Sequence, residues 1–332
     1  MYTRRNVIKL LGQVAAVPLF QPLFAQPGFA ADSGTELVLL GTQGGPNFTS
    51  ERREAGSALI VGGRPYLIDA GYGVLGRIAE SGISFLDIPE IFLTHLHDDH
   101  VADLPALIGH QWTQGRIDPT RIWGPHGTRA MVEAALAFNQ ANTEIRMVDE
   151  GRVVDPRQLF SGHDVALEAA GPLIVMEDDR IRVTATSNTH YPPEGMAAMP
   201  HRSQSLRFDA ADRSVVFSGD TAYSEQLVSL ARDADVLVCE AMQVEIMQQL
   251  FQEMRASGKY QDNPDGILHH IISTHTPLAD AGRMAQEAGV GLLVLNHLIP
   301  GALRDVDDSS YIDAIRPHFA GRIIVGRDLQ RI

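Results

Sequence analysis

The sequence predicts an α/β fold built from two β-sheets covered by helices, and three observations carry that reading. From Thr35 the chain opens with short apolar, β-branched runs joined by a tight glycine turn, the pattern of antiparallel strands. Beyond residue 181 a similar set of short runs recurs and then passes into alternating strand and helix patterns, which calls for helices packed on a sheet. Neither a Pro/Ser-rich linker nor a repeat of fixed period divides the two halves, so residues 31–332 read as a single domain.

The elements follow in order. Residues 36–40 and 58–61 read as strands, and Gly62-Gly63 turns the second into 64–68, a hairpin. Residues 91–94 form a short apolar strand that stops at a histidine cluster, after which 101–112 has helical spacing. Residues 121–123 and 145–148 are strand candidates on either side of a helix over 128–139. In the second half 181–186, 204–208 and 214–217 read as strands, 224–232 as a helix and 235–239 as a further strand. Helices over 244–257 and 278–288, a strand over 292–295, a helix over 309–319 and a strand over 322–325 complete the chain.

Composition narrows the function classes. With 332 residues, 44% of them hydrophobic and 20% charged, the chain is long and apolar enough for a sizeable core and is not a disordered polymer. No apolar run in the body reaches the ~18 residues that mark a membrane-spanning helix. The 27 Lys+Arg against 41 Asp+Glu give a net charge of -14, which argues against holding nucleic acid by phosphate neutralisation. The single cysteine, Cys239, excludes an internal disulfide and a cysteine-based zinc site, so any metal chemistry falls to the 13 histidines.

Residues 1–30 carry no acidic side chain and read as an address. A basic start with paired Arg4-Arg5 and Lys9 leads into a moderately apolar stretch, then to Gly28 and Ala30 at the spacing a signal peptidase reads. The paired arginines resemble a twin-arginine export signal, which implies a periplasmic protein handled by the twin-arginine machinery with its metal already in place. An amphipathic helix that stays attached is the competing reading. Cleavage after Ala30 removes three positive charges and takes the net charge from -14 to -17.

The chemistry concentrates in His95-Leu96-His97-Asp98-Asp99-His100, at the end of a predicted strand. Two histidines spaced by two in extended chain point their rings the same way, and Asp99 and His100 at the start of the next helix face a second nearby point. One loop thus offers four nitrogen or oxygen donors to two adjacent cations. Two cations need further ligands, and three strand-end residues supply candidates: His190, Asp220 in Ser218-Gly219-Asp220-Thr221, and His297. Gly219 permits the tight turn that aims the Asp220 carboxylate. An isolated histidine is more often a hydrogen-bonded loop residue; the shared strand-end context is what singles these out.

This ordered set resembles the metallo-β-lactamase superfamily over roughly residues 35 to 332. The resemblance implies an αββα sandwich of two mixed β-sheets with helices on the outer faces and metals along one edge between the sheets. It implies one cation held by His95, His97 and His190, another by Asp99, His100 and His297, and Asp220 bridging them. Two divalent ions, zinc in most of the family, are the implied cofactors. Asp69 resembles the family's buried aspartate that supports the ligand loop from behind. His97 sets the chain apart from the flavodiiron branch, which has glutamate there, and Asp220 from the true β-lactamases, which have cysteine.

Further marks are similar to the branch that joins tRNase Z-related phosphodiesterases and short arylsulfatase-like hydrolases. In that branch a strand ends in His-Glu-Ala-Thr; here Cys239-Glu240-Ala241-Met242 stands in its place. The Ser273-Thr274-His275-Thr276 segment is expected to open a helix, as that branch's His-Ser-Thr segment does. The resemblance makes Glu240 and His275 a relay that protonates the leaving group, with Asp99 as the third catalytic residue. The expected activity is hydrolysis of small phosphate or sulfate esters by an exported enzyme, with no nucleic acid or membrane partner and, as for related proteins, a homodimer. Absence of a protruding basic arm, the acidic charge and the export signal all favour that over RNA. A lactonase or β-lactam hydrolase is the second reading, and a periplasmic metal-binding protein without turnover the third. The remaining histidines, His270 among them, read as loop or helix residues without partners, and Tyr191 as a residue that packs near the site.

Overall fold

In β1 (Glu36–Gly41) Leu37 and Leu39 face one side of the sheet and Val38 and Leu40 the other, as the two-residue period of an extended strand requires, and all four are buried. A strand buried on both faces needs an apolar layer on each side. The computed structural model, which describes residues 34–167, 171–191, 199–258 and 262–332, supplies both layers.

One sheet holds six strands in sequence order: β1, β2 (Gly56–Val61), β3 (Arg64–Ile68), β4 (Glu90–Phe92), β5 (Thr120–Gly124) and β6 (Phe160–Asp164). Its first three strands pair antiparallel and the rest parallel. The other holds seven, β7 (Leu173–Glu177), β8 (Ile181–Ser187), β9 (Gln204–Ala210), β10 (Ser214–Phe217), β11 (Val236–Met242), β12 (Leu292–Ile299) and β13 (Arg322–Val325), again in sequence order. It begins with antiparallel pairs and ends with parallel ones. Leu37, Leu39, Leu59, Tyr66 and Phe92 of the first sheet form one core with Phe208, Val215 and Val294 of the second. Phe92 and Phe208 meet edge to face at 5.1 Å, a favoured arrangement for aromatic rings.

The outer faces carry the helices. On the first sheet lie α1 (Val74–Ser81), α2 (Asp98–Val101), α3 (Leu104–Thr113), α4 (Thr128–Phe138) and α5 (Gln140–Asp149), with Ile78, Leu107, Ile108 and Val132 packed on Val38, Leu67 and Ile91. Against the second lie α6 (Glu225–Leu230), α7 (Val244–Ala256), α8 (Pro264–Thr274), α9 (Leu278–Ala288) and α10 (Asp308–Ile315). There Met284, Ala285 and Ile315 pack on Leu237, Cys239, Leu293 and Leu295. The expected αββα sandwich of two mixed sheets is what the chain forms. Among the described residues no helix is long and apolar enough to cross a membrane.

Several local expectations change. Residues 145–148, read as a strand, lie inside α5, where Ile145 and Val148 are 60% and 85% exposed. Four residues with Arg146 among them do not make a buried strand, and the sheet position beside β5 goes to β6, whose Phe-Ser-Gly-His-Asp sequence has little strand character. The helix over 101–112 is split into α2 and α3. Helix α1, strand β7 and helix α8 are additions, and His275 caps the C-terminus of α8 within the segment that leads into α9. The export signal read in residues 1–30 lies outside the described residues.

The inter-sheet core sets the stability. Leu59→Ala, which empties a fully buried site between the sheets, is expected to destabilise the fold by about 2–5 kcal/mol in urea unfolding.

Candidate metal centre

Strands β3, β4, β8, β10, β11 and β12 bring their C-terminal ends to one edge of the sandwich, and every candidate residue of the sequence except His275, which caps helix α8, sits on or just beyond such an end. His95, His97 and His190 converge there. His190 Nδ1 lies 3.2 Å from the carbonyl oxygen of Thr274, which has no hydrogen to give, so Nδ1 carries the ring proton and Nε2 presents a lone pair. That Nε2 faces His97 Nδ1 at 3.2 Å, and His95 Nε2 faces the same atom at 3.0 Å. One ring nitrogen carries one hydrogen, so His97 cannot satisfy both neighbours. Burial lowers the pKa of all three imidazoles, which therefore stand neutral at pH 7 with lone pairs ready for a cation.

A second group joins Asp99, His100, Asp220 and His297. The Asp69 carboxylate organises it. Thr94 donates to Asp69 from its backbone N–H at 2.8 Å and its hydroxyl at 2.9 Å, and His100 Nδ1 donates to Oδ2 at 2.9 Å. His100 Nε2 is thereby turned toward Asp220 Oδ1, 3.3 Å away, and Asp99 Oδ2, 3.6 Å away. His100 Nε2 and Asp220 Oδ1 are both buried without a hydrogen bond. An orphaned imidazole nitrogen facing an orphaned carboxylate oxygen, with the Asp99 carboxylate beside them, fits a divalent cation better than any internal pairing.

The backbone is bent to deliver these groups. The β11–β12 register slips so that Glu240 pairs with Asn296 and Ala241 with Leu298, leaving His297 as a bulge with φ 41°. The bulge aims His297 Nε2 at Asp99 Oδ2, 3.1 Å, and Asp220 Oδ2, 3.3 Å. Asp69, at φ 58°, is likewise in the left-handed region, which costs a non-glycine residue about 1–3 kcal/mol. Two glycines clamp Asp99: Gly45 donates its N–H to Oδ2 at 3.0 Å, and a Cβ at Gly71 would fall 2.0 Å from the Asp99 carbonyl oxygen.

Charge tells the same story. Burial works against ionising His100, yet Asp220, Asp99 and Asp69 raise its pKa well above the ordinary value. His297 is raised against burial by Asp220 and Asp99. Burial pushes Asp220 upward, but His297 and His100 outweigh it and hold the carboxylate ionised. A buried cluster of acids demands positive charge, which protons or cations must supply.

Beside this group Glu240 Oε2 accepts from His275 Nδ1 at 2.8 Å, and Oε1 accepts the backbone N–H of Thr221. The structure thus brings together all nine residues singled out for metal or proton chemistry in the sequence. It adds His270, read there as a bystander: its ring lies 5.4 Å from His190, 6.0 Å from His275 and 6.2 Å from His97. Burial, with His275 and His97 adding to it, lowers His270 to about 4, so it is neutral at pH 7. The missed signal was α8 itself, which carries His270 and ends at the cap residue His275.

The chain matches known proteins over most of its length. The family described as "Beta-lactamase superfamily domain" matches residues 64–298. A protein of Mycobacterium bovis named Ribonuclease Z is 30% identical over 300 residues, 90% of this chain and 97% of that protein. Among solved structures, the metallo-beta-lactamase fold protein YhfI of Bacillus subtilis superposes with a TM-score of 0.62 at 17% identity, covering 90% of this chain and 99% of that one. The short form of human tRNase Z gives 0.62 at 18%, covering 90% and 98%. Two expectations fall to these findings. Relatives at this level are named ribonucleases, so the small phosphate or sulfate ester as substrate and the absence of a nucleic-acid partner do not stand. The net charge misled because it sums the whole chain, whereas phosphate contacts depend on the local field.

Two outcomes follow for the metal centre. Asp69→Asn is expected to weaken divalent-metal affinity about 10–100-fold in chelator competition, because His100 loses its orienting acceptor. Metal uptake is expected to release protons, since cations and protons compete for His100 and His297. Affinity therefore falls as pH is lowered, and titration calorimetry in buffers of different ionisation enthalpy reads the proton count.

Proposed function

The chain belongs to the β-lactamase superfamily domain family, and from that premise we propose that it is a metal-dependent hydrolase of RNA phosphodiester bonds. The observation that carries this reading is the end-to-end similarity to ribonuclease Z relatives, 90% of this chain against 97% of the relative. The centre's own chemistry supports it. His95, His97 and His190 would hold one divalent ion, zinc by the nitrogen-rich donor set, and Asp99, His100 and His297 a second, with Asp220 between them. When bound, such ions act as Lewis acids toward a phosphoryl oxygen and bring the pKa of water toward neutrality.

The protein's residues supply the rest. Asp99 Oδ2, fixed by the Gly45 N–H, takes the proton of the attacking water. Burial opposes charge on His275, but the Glu240 carboxylate outweighs it and raises the imidazole to about 9, so the ring is protonated at pH 7. With Nδ1–H donated to Glu240, Nε2–H is free to protonate the departing ribose oxygen as the P–O bond breaks. Thr221 N–H and His275 together pin Glu240, which keeps the ring in this orientation.

The rim also suits a nucleic acid. Phe48 and Tyr72 are 70% and 48% exposed and meet edge to face at 4.7 Å. Phe48 follows Gly45 by three residues and Tyr72 follows Gly71 by one, and those two glycines are the clamp on Asp99. Exposed aromatic rings beside a phosphodiester site are surfaces on which unpaired bases stack.

The purified protein is expected to cut a precursor tRNA bearing a 3′ extension, and a chelator to abolish cleavage. His275→Ala should lower kcat by about 10²–10⁴-fold with little change in KM, the mark of a lost general acid. Absence of cleavage by the metal-loaded wild type on any RNA overturns the proposal.

A further inference from the structure

A pocket of about 700 Å³ opens directly from the first group of histidines. His97 is one of its walls, and Leu96, Met131, Ala134, Tyr191 and His270 form much of the remainder. Gly127, Ala130, Met131 and Ala134 all line it from the start of α4, at the spacing that places residues on one helical face. That face is small and apolar, and Ala130 and Ala134 are exposed rather than packed against the core. Two rings flank the opening: Tyr191, 5.5 Å from His97 and 5.0 Å from His190, and His270, 6.2 Å and 5.4 Å from the same two. Among the described residues no Lys, Arg, Asp or Glu lines the pocket.

We infer that this pocket receives the nucleobase adjoining the scissile phosphodiester, held by stacking and apolar contact rather than by reading of its edges. The inference rests on the RNA reading above and names the subsite that serves it. A phosphate would need cationic partners, and the described walls hold no Lys or Arg, so the sugar–phosphate backbone runs past the pocket, over the metal centre. A base has two apolar faces and needs partners of this kind. Edge recognition has little to work with. His270 Nδ1 is 3.3 Å from Thr274 Oγ1, and His201 Nδ1 is 3.0 Å from the His126 carbonyl, which engages one ring nitrogen of each histidine. The apolar face of α4 and the flanking rings therefore set preference mainly by stacking surface.

An RNA substrate carrying an abasic nucleotide in turn on each side of the cleaved bond tests this. On one side the lesion is expected to lower kcat/KM about tenfold for the wild type, within the range set by loss of one stacked base. Ala134→Trp, at an exposed helix position where the fold is retained, fills the pocket and is expected to lower kcat/KM on intact RNA by a similar factor through KM. The abasic lesion should then cost this variant nothing further. Independently of turnover, 2-aminopurine at the same nucleotide should change its fluorescence on binding the chelator-treated wild type and not the Ala134→Trp protein. Cleavage that ignores the abasic nucleotide on both sides, or an Ala134→Trp variant with unaltered KM, overturns the inference and leaves the RNA reading standing. No RNA cleavage by the wild type overturns that reading and this inference with it.

Discussion

Asp220 presents a buried carboxylate to His100 and His297, each 3.3 Å away, and to His95, 3.8 Å away, and the rest of the site is arranged around that constraint. A carboxylate taken out of water is costly unless opposing charge comes with it. Asp99, Asp69 and Glu240 add three more buried acids within the same few ångströms, so the pocket is an acidic cluster lined with imidazoles. Two divalent ions would satisfy both kinds of donor at once: lone pairs that otherwise face each other, and carboxylates that otherwise repel. Internal hydrogen bonds cannot, as the orphaned His100 Nε2 and Asp220 Oδ1 show.

The fold exists in a form that meets this demand. Two sheets, each antiparallel at one side and parallel at the other, end several strands at a common edge, where short loops carry the donors. Where regular geometry would miss, the backbone departs from it. The bulge at His297, the left-handed Asp69 and the Gly219 turn at φ 59° each redirect a side chain toward the centre. At Gly219 a Cβ would lie 2.7 Å from the Gln204 carbonyl oxygen, so the turn that aims Asp220 requires glycine. The stability these departures cost is supplied by the apolar core between the sheets and by those beneath the helices.

Much of this was legible from residues alone, for identifiable reasons. The His95–His100 run is local, so spacing and strand periodicity were enough to place its donors on two neighbouring points. His190, Asp220 and His297 were legible only by their common position after apolar strands, which is a property of the fold. The bulge that makes His297 useful left no mark on the sequence. His270 escaped because helix α8, with Gly266 and Pro264 in its first turn, does not announce itself, and its distance from His190 depends on tertiary packing. Residues 145–148 misled because β-branching outweighed helix context. The substrate class misled most, since total charge is a sum that carries no information about where the charges lie.

The proposed hydrolysis depends on these side chains forming one two-cation centre. Anomalous scattering at the zinc edge from a crystal of the zinc-loaded protein tests it most directly. Two peaks are predicted, one among His95, His97 and His190 and the other among Asp99, His100 and His297, with Asp220 between them. A single peak, or zinc bound away from this edge with the histidines pairing among themselves, would contradict it.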